Sequence, residues 1–192
     1  YAAQEPWMRS ATIRENILFG ADFDEARYEQ VLQACALKED LNSFEKGDET
    51  VVGEKGINLS GGQKARVALA RACYQNSSLY LLDDPLSAVD TIVAEHLFEQ
   101  CIKKLLKSTT RVLVTHQVQF LPCCDRVIIL DDKDGRVKHI GTYQDLILAG
   151  VVFPTTEKTE SEKSEVGTGV VESRLEMTDT EGSGGADIRG KQ

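Results

Sequence analysis

Two short apolar runs that end in polar residues constrain this chain most. SLYLLDD, residues 78–84, and RVLVTH, residues 111–116, each read as a buried parallel strand. Between them, AVDTIVAEHLFEQCIKKLL carries Val93, Ala94, Leu97, Phe98, Cys101, Ile102 and Leu105 as one apolar stripe, the mark of a core-facing helix. Upstream, DEARYEQVLQACALKEDL places Tyr28, Val31, Leu32 and Cys35 on one helical face. Downstream, RVIILDDKDGRVKHIG reads as a hairpin turning at Asp134-Gly135. TYQDLILAG then reads as a closing helix, with Thr142 as N-cap and Gly150 just past its end. Strands alternating with helices indicate an α/β domain with a mainly parallel sheet.

The pattern stops near Phe153. Residues 151–192 carry nine acidic and five basic side chains, many Ser, Thr and Gly, and one aromatic. Such a segment buries too little apolar surface to offset its ordering entropy. The expected organisation is therefore a domain over 1–152 and an acidic disordered linker over 153–192. Within that linker, Thr159 and Thr178 each precede a Glu by three residues, a spacing open to acid-directed phosphorylation or to simple solvation. The net charge of −9 argues against nonspecific binding to nucleic acid or to an anionic membrane surface. No apolar run approaches the ~20 residues that span a bilayer. Cysteines stand at 35, 73, 101, 123 and 124, an odd number without a CxxC pair. Reduced packing and loop thiols are expected, rather than a disulfide framework or a zinc site.

NLSGGQKARVALARA, residues 58–72, runs a polar glycine-bearing turn into a cationic helix. The free N–H groups and positive dipole end of that helix suit an anion, and glycines let the backbone approach one closely. Ser60 adds a hydroxyl donor, or simply caps the helix; the turn alone leaves both readings open.

The full string LSGGQ, followed in order by YLLDDP and VTHQ, resembles the nucleotide-binding domain of ABC transporters. The resemblance runs over about residues 1–150. It implies a P-loop NTPase-like α/β fold with a helical signature subdomain, and ATP and Mg²⁺ as ligands. Asp83 matches the Walker B acid that holds the hydrated magnesium ion. Gln4 matches the Q-loop glutamine near the metal and the attacking water. His116 matches the switch histidine that donates to the γ-phosphate. SAVD, Ser87 to Asp90, matches the D-loop that passes between paired domains.

Position 84 departs from the family pattern. A glutamate usually follows the Walker B aspartate, to orient and deprotonate the lytic water; here it is Asp84, one methylene shorter. Slow hydrolysis at this site is the expectation, because a displacement of ~1 Å can cost about 10²-fold in rate. The Asp-Asp pair resembles the first nucleotide-binding domain of the C subfamily, the multidrug resistance-associated proteins. QEPWMRSATIRENILFG, ACALKEDL and LLDDPLSAVDTIVAEHLFEQCI agree.

In that family two domains meet head to tail. Ser60, Gly61, Gly62 and Gln63 are then expected to hold the γ-phosphate of an ATP on a partner domain, with Asp90 beside the shared nucleotide. Gln4, Asp83, Asp84 and His116 are expected to serve this domain's own ATP. No G-x-x-x-x-G-K-[ST] string occurs in the chain, which opens at Tyr1 inside an apparent strand. The phosphate-cradling lysine is therefore expected upstream, and the chain alone is expected to be inactive. Trp7 and Met8 are expected to meet transmembrane domains, while Ile13, Ile17 and Leu18 look like core. The implied setting is the cytoplasmic face of a membrane exporter, most simply at the plasma membrane, moving organic anions, drugs or conjugates. Three readings compete with it: a soluble ABC ATPase, a non-catalytic ATP-clamped regulatory module, and a truncated inactive product. Acidic charge and SATIRENILFG count against the first.

Overall fold

A computed structural model describes residues 1–53 and 58–153. Thr159, Thr178 and all of the expected linker beyond Phe153 lie outside the described residues. Among the described residues, every α-helix but the one after Leu37 starts from a local side-chain cap. Thr12 and Glu15 form a reciprocal box that opens α1 (Ile13–Leu18). Asp24 accepts from the Arg27 N–H to open α2 (Glu25–Ala34). The chain reverses at Ala36, in the left-handed region at φ +51°, and enters α3 (Lys38–Ser43).

Ser60 opens α4 (Gly61–Tyr74), which leads to β1 (Leu79–Asp83). Asp90 opens α5 (Thr91–His96), whose turns widen to a π-helical run over Leu97–Leu105 before β2 (Thr110–Val114). The antiparallel hairpin β3 (Val127–Leu130) and β4 (Val137–Gly141) turns at Gly135, at φ +68°. A Thr142–Asp145 box then starts α6 (Tyr143–Leu148), and Gly150 follows it at φ +80°. Phe153 stacks on Tyr143 with ring centres 5.2 Å apart.

β1 and β2 pair in parallel, with Asp83 opposite Val114. The first residues add a third parallel segment along the other side of β1. The Ala2 N–H donates to the Leu81 carbonyl and the Asp83 N–H to the Ala2 carbonyl, each at 2.9 Å. Helices α1, α2, α4 and the long 91–105 helix bury one continuous core that includes Ile13, Ile17, Val31, Leu69, Leu97 and Phe98. The apolar stripe on the long helix is buried as its spacing predicts, with Val93 and Leu105 at its margin.

The two strands correct one expectation. SLYLLDD and RVLVTH are apolar on both faces, but burial alternates along them. Tyr80 and Leu82 face the helical core, whereas Leu79, Leu81, Val112 and Val114 are about half exposed. Among the described residues the helices cover only one face of this sheet. A run of consecutive apolar residues reports that both faces suit burial; it does not supply the second cover.

Candidate nucleotide site

Sheet geometry decides which polar residues meet. Three parallel segments end at the same edge, and each is followed within two residues by a polar side chain. Ala2 lies opposite Leu82, so Gln4, two residues on, leaves the sheet beside Asp83 and Asp84. The Asp84 N–H donates to the Val114 carbonyl at 2.9 Å, which carries the parallel register one step past β1. His116 follows Val114 by two residues, exposed, at that same edge. The carboxyl ends of parallel strands are where open α/β sheets bind ligands. Residues from three separate stretches of sequence thus follow strand ends at that edge.

The two acids differ sharply in their surroundings. Asp83 is partly exposed, and its Oδ2 accepts a hydrogen bond from the Tyr1 hydroxyl at 3.2 Å. That bond to the Asp83 carboxylate raises the pKa of the exposed Tyr1 phenol. Asp84 is buried, with 5% of its surface exposed, and sits in the left-handed region at φ +45°. Such a backbone costs a non-glycine residue on the order of 1 kcal/mol and persists only where the surroundings hold it. Here the holding groups are visible: the Ser87 N–H and hydroxyl both donate to the Asp84 carbonyl, at 3.3 and 2.8 Å.

Among the described residues Asp84 Oδ1 is buried without a hydrogen-bond partner. A buried unpaired carboxylate oxygen is costly unless water or a ligand meets it. The partly exposed Asp83 carboxylate and the Gln4 side-chain carbonyl are oxygen donors of the kind that fits a hydrated hard cation such as Mg²⁺.

The signature turn is built separately, at the N-terminus of α4. The Gln63 N–H donates to Ser60 Oγ at 3.2 Å, and the Ser60 N–H donates to Gln63 Oε1 at 2.9 Å. Ser60 therefore does cap its helix, and the cap uses only the acceptor side of the hydroxyl. Among the described residues its proton meets no acceptor, so the two roles open at this residue are compatible.

Gln63 Nε2 also donates to Asp40 Oδ1 at 3.0 Å, while the Arg66 guanidinium grips both oxygens of Asp40 and the Ala36 carbonyl. Gly61 has open space where a side chain would stand, whereas Gly62 lies against the Ala88 carbonyl. Asp90, expected beside a nucleotide, accepts from the Val93 N–H at 3.0 Å as the cap of α5.

Trp7 and Met8 are held by a residue that sequence reading passed over. Arg71 on α4 is buried, with 7% exposed, and no acid pairs with it among the described residues. Its guanidinium lies 4.0 Å from the centre of the Trp7 ring. It donates to the Trp7 carbonyl at 3.1 Å, to the Asn16 carbonyl at 2.7 Å and to Asn16 Oδ1 at 3.0 Å. Burial, and then the charge of Arg9, lower its pKa to about 10. Trp7 remains half exposed and packs edge-on against Phe19.

Ile13 and Ile17 are fully buried as expected, and Leu18 packs at the core margin. Arg71 could have been suspected from its place between buried Val67 and Tyr74, on the inner face of α4. Asp40 left no comparable signal, since nothing in a surface-like KEDLNS string points to Gln63.

Comparison with known proteins agrees with this geometry. The family model described as ABC transporter matches residues 1–87. The chain is 52% identical over 165 residues to human ATP-binding cassette sub-family C member 4, covering 86% of this chain and 12% of that protein. It is 50% identical over 167 residues to the probable multidrug resistance-associated protein lethal(2)03659 of Drosophila melanogaster, again 86% of this chain and 12% of the relative. ABC transporter C family member 12 of Dictyostelium discoideum is 50% identical over 153 residues, 80% of this chain and 11% of its own length. The chain thus spans about an eighth of the length of the relatives it matches.

Proposed function

Since the chain belongs to the ABC transporter family, in its C subfamily, we propose that it supplies the carboxylate and signature parts of a first nucleotide-binding domain that drives membrane export of organic anions, drugs or conjugates. The observation that carries this reading is the sheet edge where Gln4, Asp83, Asp84 and His116 converge, with Asp84 Oδ1 buried and unpartnered. Asp83, with Gln4 beside it, would hold Mg²⁺, which would supply charge neutralisation on phosphate oxygens. Asp84 orients the lytic water and takes its proton. His116 donates to the γ-phosphate. Ser60, Gly61, Gly62 and Gln63 serve an ATP bound on a second, head-to-tail nucleotide-binding domain, and Asp90 lies in the loop between the two.

The partner transmembrane domains dock at Trp7 and Met8, which Arg71 fixes at the surface. Neither the charge nor the site favours nucleic acid. Among the described residues no helix is long and apolar enough to cross a membrane. The chain contains no phosphate-cradling G-x-x-x-x-G-K-[ST] string, so by itself it turns over no ATP.

The proposed rate at this site is low. Asp84 is one methylene shorter than the family's glutamate, and its backbone is fixed by Ser87 and Val114, so it does not advance to compensate. In the longer protein that carries this chain, Asp84→Glu raises steady-state ATP turnover by about 10-fold or more, by the ~10²-fold sensitivity of catalysis to ~1 Å displacements. An unchanged or lower rate contradicts the slow-site reading. The short Asp84 also favours a second reading, an ATP-clamped regulatory module. Nucleotide retained without turnover in both wild type and Asp84→Glu would select that one.

A further inference from the structure

Three of the five cysteines meet in the core, although they are 38 and 28 residues apart in sequence. Cys35 ends α2, Cys73 lies on α4 and Cys101 on the 91–105 helix, and each exposes 1% or less of its surface. Cys73 and Cys101 Sγ are 3.3 Å apart, Cys35 and Cys101 Sγ 3.9 Å, and all three sulfurs lie within 4.8 Å of one another. Three helices thus present one thiol each to a single point. The bland alternative is that each acts as a small apolar side chain filling the core.

Ligand chemistry narrows what such a point can hold. A metal–sulfur bond of about 2.3 Å sets the sulfurs of a trigonal three-thiolate site roughly 4 Å apart. The observed 3.3 and 3.9 Å, with the third pair within 4.8 Å, lie close to that value. Zinc takes four ligands in a structural site, and no fourth His, Cys, Asp or Glu joins this group among the described residues. Soft thiolate sets without oxygen or nitrogen select Cu(I).

Three thiolates around one monovalent ion leave a net charge of −2, which needs nearby cations. Two guanidiniums are anchored on the backbone beside the cluster. Arg27 donates to the Cys73 and Tyr74 carbonyls at 2.9 and 2.8 Å; Arg66 donates to the carbonyl of Ala36, next to Cys35, but is already paired with Asp40, so Arg27 carries most of the compensation.

We propose that Cys35, Cys73 and Cys101 form a three-coordinate site for a soft monovalent metal ion, Cu(I), inside the helical part of the domain. On binding, three S–H protons leave to solvent as three S–Cu bonds form, and no electron changes hands. Entry requires the three helices to part transiently, so uptake is slow. The site is independent of the nucleotide residues, and its test does not depend on ATP chemistry.

The test is an anaerobic titration of the 192-residue chain with Cu(I) as its acetonitrile complex, against a Cu(I) chelator. The exposed Cys123 and half-buried Cys124 are first removed as Cys123→Ser/Cys124→Ser, since they are the obvious competing thiols. That variant is expected to retain one Cu(I) per chain, with the ultraviolet charge-transfer band of thiolate ligation. Adding Cys73→Val, apolar and of similar volume, keeps the core filled and is expected to weaken binding at least 10-fold. X-ray absorption of the loaded chain is expected to give a shell of three sulfurs, a readout that needs no folded core variant. Undiminished binding in Cys73→Val, loss of binding with Cys123 and Cys124, a two-sulfur shell, or preference for zinc would each overturn the proposal.

Discussion

Gly62 has no room for a side chain. A Cβ built there stands 3.0 Å from the Ala88 carbonyl and 3.5 Å from Val89 Cγ1, whereas one at Gly61 meets nothing within 4 Å. Backbone yields less readily than a flexible side chain. Gly62→Ala is therefore expected to lower stability by about 1–3 kcal/mol, the range for forced overpacking, while Gly61→Ala changes it by ~0.5 kcal/mol or less. Thermal melts of the two variants measure the difference directly.

Arg71 is the other residue whose surroundings make a definite demand. Its removal takes a donor from the buried Asn16 carbonyl and one of the two donors to Asn16 Oδ1, leaving there only the Arg9 N–H, and strips a cation from the Trp7 ring. Arg71→Met is expected to cost about 2–3 kcal/mol, from the penalty for buried groups left unpaired. Because Trp7 is the chain's single tryptophan, its fluorescence should shift in the same variant. Arg71→Lys should not restore it, since an ammonium has no planar face to stack on the ring while it donates to the carbonyls below.

At the scale of elements, helix starts were the most legible feature. Thr142, Ser60 and Asp90 all stand where a short polar side chain precedes apolar periodicity, and all three cap. Ser60→Ala is expected to destabilise the chain by about 1 kcal/mol and Ser60→Asn by little, because asparagine caps as well as serine. Chemical denaturation of both variants checks this. A pair of equal losses would mean that the cap does not anchor α4.

Strand burial was less legible. Leu79, Leu81, Val112 and Val114 occupy alternate positions in runs that are apolar throughout, so the sequence carries no period-2 signal to mark which face the helices cover. The thiol cluster was invisible for a related reason. Its members come one from each of three helices, and only the packing of those helices brings the sulfurs together.

At the scale of the molecule, the order of motifs carried most of the functional reading, and the sheet explains why that order works. Parallel register places Gln4, Asp83, Asp84 and His116 at one edge, whereas Ser60 to Gln63 belong to a helix start tied to α3 through Asp40. Those are two separate polar faces on one chain. What sequence could not show is how each face is held: Tyr1 on Asp83, Ser87 under Asp84, and Arg66 with Asp40 behind Gln63.

The claim that follows is two half-sites serving two different nucleotides. It is tested most directly by photolabelling with an azido-ATP analogue in the longer protein, with the label counted separately on each nucleotide-binding domain. Gly61→Asp puts a carboxylate at the signature turn, where it has room and repels phosphate. Asp83→Asn removes the metal-holding acid. Two half-sites predict complementary losses: Gly61→Asp lowers trapping on the partner domain, and Asp83→Asn lowers it on this one. If both variants lose label from the same domain, the two faces serve one nucleotide and the head-to-tail arrangement is wrong.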